Sequence, residues 1–211
     1  MSPSSTTKAL NEHFAEVIFS TNEMLIAQCY KESLSGKPSK STVSQGSIVK
    51  VISSYDDSYV AFGLIAKINN SSLDNIHRPS ALGMTSKELE HLQPQVFDLL
   101  RKEVEIYLFA YKEEGKVYNY PPSKPMMIHD FVSKATNDEV LQLTEDISSL
   151  INLVKRNQLK PDILSNLINL AYILRRNDYN YLVKMGQELS LAFADEFDFL
   201  IQILKRLSKS T

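Results

Sequence analysis

Asp74, His77 and Arg78 form the polar cluster whose residue types are best suited to chemistry in this sequence. The Asp74 carboxylate could bond the His77 imidazole, and a guanidinium such as that of Arg78 can hold a carboxylate or a phosphate. The alternative is a loop clamp, in which Asp74 accepts from local backbone amides and Arg78 pairs with a nearby acid. We favour the clamp, and an enzymatic interpretation rests on these three residues alone.

Residue spacing does not indicate a nucleotide or metal site. Gly36-Lys37 resembles the end of a phosphate-binding loop, but Lys31 stands where the spacing demands glycine and Pro38 replaces serine or threonine. Without that spacing the backbone amides do not form a phosphate cradle. The histidines also lack a histidine or cysteine partner at ligand spacing: they are His13, His77, His91 and His129. We therefore expect no cofactor and no metal.

The one cysteine, Cys29, lies in a predicted strand among apolar residues. A buried thiol is expected there rather than a reactive one. A single cysteine allows no intramolecular disulfide, which is typical of a reducing compartment. The first residues do not resemble a secretory signal, and no apolar run reaches the roughly 18 residues of a membrane helix. We therefore expect a cytoplasmic protein without a membrane span.

Aromatic side chains on the predicted strands could stack on nucleic-acid bases or pack within the sheet: they are Tyr59, Phe62, Tyr107, Phe109, Tyr118 and Tyr120. The charge balance favours packing. Residues 14–134 hold 13 Lys+Arg against 14 Asp+Glu, and residues 135–211 hold 9 against 10. Neither segment has the basic excess that phosphate contacts need.

Alternating apolar and polar residues predict β-strands within residues 14–30, 46–68 and 104–120, and residues 33–45 are predicted to be an exposed loop. Gly63 interrupts one of these strands and indicates a bulge or bend of the kind that small barrels need. Pro121, Pro122 and Pro125 follow the last predicted strand and indicate a domain boundary. Residues 1–13 are predicted to be disordered.

Residues 77–111 are predicted to tie two strand-rich segments together. Thr85 and Glu88 have the spacing of a capping box, which begins a short helix. Pro94 suits the first turn of a second helix. We expect Phe97 to be buried where this second helix packs on the barrel.

The period of the apolar residues becomes helical from Thr136, which forms a second capping box with Glu139. A bundle of short helices with tight loops is the simplest interpretation. Several apolar residues fall outside the main stripes and form the candidate interaction surface: Leu141, Leu170, Ile173, Leu191, Phe199 and Ile203.

Several segments resemble the HAS barrel, a small β-barrel named for HerA-type translocases and ATP synthase subunits: FAEV, AQCY, GSIVKV, FGLI, DNIHRPSALGMTSKEL, QPQVFDLL and PPSKPMMIHDFV. The chain is more closely similar to a stand-alone cyanobacterial group in which a helical tail follows this barrel. The resemblance covers most of residues 14–135, and HRPSALGM and QPQVF are its most specific parts. In the ATPases the barrel precedes a motor domain and lies at subunit contacts. This chain has no phosphate loop and no acidic strand end suited to magnesium, so the resemblance implies the assembly role and not ATP hydrolysis.

We predict an α+β protein with a small Greek-key-like β-barrel and a helical insertion over residues 14–135, followed by a helical bundle over residues 136–211. The predicted function is a non-enzymatic protein-interaction or assembly module that contacts a protein partner or a second copy of itself. The alternative is a nucleic-acid-associated accessory protein that uses the aromatic face of the barrel.

Overall fold

The computed structural model describes residues 13–30, 43–72 and 80–208. These residues form an α+β fold with seven strands and seven helices. The strands are β1 (Ala15–Ser20), β2 (Met24–Cys29), β3 (Ile48–Ile52), β4 (Val60–Ser72), β5 (Leu100–Glu113), β6 (Lys116–Tyr118) and β7 (Phe131–Lys134). The helices are α1 (Ser86–Leu92), α2 (Gln95–Asp98), α3 (Asn137–Leu143), α4 (Ser148–Arg156), α5 (Pro161–Leu174), α6 (Tyr179–Ala192) and α7 (Phe197–Leu207).

Six strands close into an antiparallel barrel in the order β1-β2-β5-β4-β3-β7, with β7 pairing back to β1. β6 extends the sheet by pairing with β5. β7 was not predicted as a strand, because four residues after a proline-rich segment give too short an alternation to recognise. Its pairing with a neighbour on each side makes it the strand that closes the barrel.

The barrel interior is filled by side chains that alternate along the strands. Four strands each contribute two such residues, β5 contributes three and β7 contributes one. The residues are Ala15, Val17, Leu25, Ala27, Val49, Val51, Ala61, Ile65, Val104, Ile106, Leu108 and Val132. The interior is therefore a packed core, as expected of a barrel with so few strands.

Gly63 marks a bulge in β4, as its position in the sequence predicted. The register between β4 and β5 shifts between Phe62 and Gly63. A Cβ atom at residue 63 would overlap the Ile106 side chain inside the barrel. Glycine therefore allows the close approach of the two strands at this point.

The C-terminal helices cover the outer face of β3, β4 and β5. Ile48, Phe62 and Phe109 point away from the interior and belong to one apolar cluster with residues of all five helices from α3 to α7. Gly46, just before β3, lies against Asn166 of α5. The barrel and these helices therefore share a continuous hydrophobic core.

Residues 80–100, which we call the insertion arm, lie at the far end of β4 and β5. Residues 70–72 and 100–102 pair only with each other among the described strands. The predicted capping box of Thr85 and Glu88 is present at the start of α1, but α1 and α2 contain no buried residue. The expected burial of Phe97 is wrong, because its side chain is 37% exposed. Two helices of seven and four residues at the tip of a strand pair have too little surface to pack on the barrel.

Candidate functional site

An apolar groove runs between α6 and α7 and has a volume of about 610 Å³. At Gly186 an added Cβ would meet no atom within 4 Å, so this position leaves the groove open. Leu191 is 82% exposed beside it. The lining residues are Val183, Gly186, Gln187, Ser190, Leu191 and Leu204.

The groove exists because α6 has apolar residues on two faces. Asp178 caps the helix by accepting from the backbone amide of Asn180 at 3.0 Å. Tyr181, Met185 and Leu189 follow at four-residue spacing and are buried. This leaves the opposite apolar face of α6 unburied next to α7, whose own buried residues are Leu200, Ile203 and Leu207.

Polar contacts hold the inner side of α6 in place. The Arg175 guanidinium lies 4.1 Å from the centre of the Tyr181 ring and donates to the Leu141 carbonyl at 2.8 Å. Lys184 donates to the Glu145 carbonyl, also at 2.8 Å. Burial raises the pKa of Tyr181, so this phenol stays neutral. These contacts hold α6 in place on its core side, while its other side lines the groove.

The structure divides the residues of the predicted interaction surface. Leu191 lines the groove, and Leu170 and Ile173 are exposed on α5. Leu141 and Phe199 are half-buried, and Phe199 stacks on Phe193. Ile203 is fully buried because α7 packs closely on α5, so it belongs to the core and not to an exposed surface.

Two further apolar surfaces are exposed. One is on the insertion arm, where Leu92, Phe97 and Leu99 are among the exposed side chains. The other lies on β1 and the segment that leads into β7, on the part of the barrel away from the helices: Ile18, Phe19, Met127, Ile128 and Phe131. The α6–α7 groove is shallow and open, and it differs from these two surfaces in being lined by residues of two neighbouring helices.

The predicted polar cluster of Asp74, His77 and Arg78 lies outside the described residues. A different polar cluster is present on the barrel surface. Glu16 is 3.1 Å from the His129 imidazole and accepts from the Tyr30 hydroxyl at 2.8 Å.

The sequence gives no signal for the cluster of Glu16, Tyr30 and His129, because Glu16 and His129 are 113 residues apart. The hydrogen bond from His129 lowers the pKa of Glu16. Burial raises the pKa of Tyr30. Since His129 also donates its backbone amide to the Val17 carbonyl, the cluster fastens the segment before β7 to β1.

The aromatic face on which nucleic acid binding would depend is largely occupied. Phe62 and Phe109 are buried and cannot stack on a base. Tyr118 stacks on Tyr111 with ring centres 4.9 Å apart, and Tyr120 meets Tyr111 edge-on at 5.5 Å. These rings therefore pack against one another, as aromatic side chains on neighbouring strands commonly do.

Within the described part of the chain, no group of three or more histidine, cysteine, aspartate or glutamate side chains is placed to hold a metal ion. Across the same ranges, no helix combines the length and the apolar character needed to span a bilayer.

No model of a protein family matches the chain, and no curated protein matches it in sequence. The similarity to the HAS barrel stays a prediction from the sequence.

Proposed function

We propose that this protein is a non-enzymatic interaction or assembly module. In this proposal a HAS-type barrel with a Greek-key-like strand order supports a helical bundle, and the bundle presents the α6–α7 groove to a protein partner. The open apolar groove is the observation that carries the proposal. Covering apolar surface is favourable by about 25 cal/mol per Å², and contiguous exposed apolar surface rimmed by polar residues marks interaction sites.

The chemistry of the groove favours binding over catalysis. Its lining has two polar side chains, Gln187 and Ser190, and no titratable group. General acid–base catalysis needs a titratable side chain within reach of the substrate, and a serine needs an adjacent base to become a nucleophile. A lining of leucine and valine without charged groups instead agrees with the core of a protein interface, where charged residues are depleted.

The resemblance to the HAS barrel supports the same conclusion, since that barrel lies at subunit contacts in the ATPases that carry it. Cys29, as the single cysteine of the chain, is consistent with work in a reducing compartment. We therefore propose that the module acts in the cytoplasm.

The proposal is tested by affinity capture from native lysate with the full-length chain as bait. Leu191→Glu places a charge in the groove without removing a buried side chain, because Leu191 is largely exposed. Proteins captured by the wild type are expected to be lost with this variant. Gln202→Glu adds the same charge on an exposed position of α7 and is expected to retain them.

Identical capture by the wild type, Leu191→Glu and Gln202→Glu would show that the groove does not bind the partner. The proposal also fails if the wild type captures nothing and does not associate with itself. Thermal melting of the three proteins confirms that each one folds equally well.

A further inference from the structure

We propose that the occupant of the α6–α7 groove is the insertion arm of a second copy of this chain, and that two chains exchange arms reciprocally. This inference rests on the proposed function, because it names the partner of the same groove. It joins two surfaces that the fold leaves uncovered: the exposed apolar side chains of the arm and the shallow groove between α6 and α7.

The insertion arm contains several large apolar residues of the kind usually buried, but most of its side chains are exposed. None of residues 80–100 is buried, and only Leu89, Gln93 and Val96 are half-buried. Short helices without tertiary contacts are marginal in water, so a covering partner would stabilise α1 and α2. The exposed large apolar side chains are Leu82, Met84, Leu92, Phe97, Leu99 and Leu100.

A series of contacts links β4, which leads into the arm, to one end of the groove. Gln45 donates to the carbonyl of Ala66, four residues before the unshared part of β4, at 2.8 Å. The next residue, Gly46, lies against Ile163 near the start of α5. Asp162, also in the first turn of α5, pairs with Arg206 at 2.8 Å, two residues beyond Leu204 of the groove. The start of α5 therefore links the two places.

This placement suits a two-fold exchange. Residues 70–72 and 100–102 project as a two-stranded ribbon, which carries the arm roughly 10 Å beyond the shared strands at about 3.3 Å per residue. A two-fold axis beside the start of α5 would bring each arm to the groove of the other chain. Reciprocal exchange closes after two chains, so it forms a dimer and not an open filament.

Charge at the contact agrees with this pairing. Residues 80–100 hold one lysine, Lys87, against Glu88, Glu90 and Asp98. Lys205 and Arg206 lie in the last turn of α7, next to Leu204 of the groove, and Arg206 is already paired with Asp162. Lys205 is therefore the cation that an acidic arm would meet, which favours arm-to-groove contact over arm-to-arm contact.

The test measures self-association of the full-length chain by light scattering and sedimentation. The wild type is expected to be a dimer. An arm variant, Leu92→Glu with Leu99→Glu, and the groove variant Leu191→Glu are each expected to weaken dimerisation by at least about tenfold. All three positions are exposed, so the variants are expected to fold. Gln202→Glu is the matched control and is expected to dimerise as the wild type does.

Mixing the two variants distinguishes arm exchange from other contacts. The arm variant keeps an intact groove and the groove variant keeps an intact arm, so a mixed dimer regains one of the two contacts. An equimolar mixture is therefore expected to associate more tightly than either variant alone, which fluorescence transfer between differently labelled chains would detect.

Three results would overturn the inference. The first is a wild type that stays monomeric at its highest soluble concentration. The second is an arm variant that dimerises normally while the groove variant does not, since the groove would then pair with another surface. The third is a mixture that associates no better than its components. In each case groove-dependent capture of a different protein from lysate would still support the proposed function.

Discussion

The hydrogen bond between Glu16 and His129 makes a single residue pair on the barrel surface sensitive to pH. Bonding to His129 lowers the pKa of Glu16 from its ordinary value of 4.5. A carboxyl group whose pKa is lower in the folded state adds stability above its unfolded pKa and loses it as the pH falls through the folded value. The contribution of Glu16 is therefore complete above about pH 4.5 and disappears below it.

Glu16→Gln should show this contribution, because glutamine keeps an acceptor for Tyr30 but removes the charge. At pH 7 the variant should be less stable than the wild type by about 0.5–1 kcal/mol, the range of a partly exposed pair. At about pH 3 the two proteins should converge. Urea melts at both values measure the difference, and Glu90→Gln serves as the exposed control. A difference that persists unchanged at low pH would assign the effect to packing instead of charge.

Replacement of Gly63 and of Gly186 by alanine should change the free energy of unfolding in opposite directions. Gly63→Ala should lower the free energy of unfolding by about 1–3 kcal/mol, because the new methyl group would overlap Ile106 in the barrel. Gly186→Ala should raise it by about 0.5–1 kcal/mol, since the position is helical and open. Denaturant melts of both variants check the signs. Equal effects at the two positions would contradict the close approach of β4 and β5 at Gly63.

The insertion arm is the element for which sequence and structure differ most. Pro94 and the capping box at Thr85 correctly predict two helix starts, since those signals are local. The sequence could not show that the strands below extend past their neighbours and carry the helices away from the barrel. Phe97 has the residue type of a core position, but burial depends on a surface that must come from elsewhere in the fold.

A matched pair of phenylalanine substitutions tests this description of the arm. Phe97→Ala should change the free energy of unfolding by less than about 1 kcal/mol when measured on dilute, monomeric protein. Phe109→Ala should lower it by about 3–5 kcal/mol, because Phe109 is buried between the barrel and the helices. A loss at Phe97 similar to the loss at Phe109 would mean that the arm packs on its own chain.

The C-terminal helices show how far periodicity alone can assign a surface. Ile203 was placed outside the main apolar stripes, but it is buried in α7. The helical period is correct, but the period alone does not show which face of the helix is buried. That depends on the neighbouring elements that the helix contacts. Leu191 is exposed because it lies on a face of α6 turned away from Tyr181, Met185 and Leu189, and its part in an interaction stays a prediction. The groove that it lines depends on the separation between α6 and α7. The apolar pattern of one helix does not determine how far away the neighbouring helix lies.

For the whole molecule, the shared core makes the barrel dependent on the helices. Without α3 to α7, the outward-facing side chains of β3, β4 and β5 would be left in water: they include Ile48, Phe62, Leu64 and Phe109. Such a contiguous apolar face on a sheet promotes aggregation. The predicted boundary near residue 135 marks a change of secondary structure, and the apolar cluster continues across it.

A chain truncated after Ala135 should therefore fail to form a stable soluble barrel, even though it contains all six barrel strands. Loss of burial for several large side chains, at about 1.5–3 kcal/mol each, approaches the 5–15 kcal/mol that stabilises a typical domain. The truncated chain is expected to aggregate on size-exclusion chromatography and to bind a hydrophobic dye strongly, and the full-length chain is expected to do so much less. The helices expressed separately and mixed with the truncated chain during refolding should restore solubility, because they supply the missing surface. A truncated chain that is monomeric and melts cooperatively would show that the barrel is an independent domain and that the helices are only attached to it.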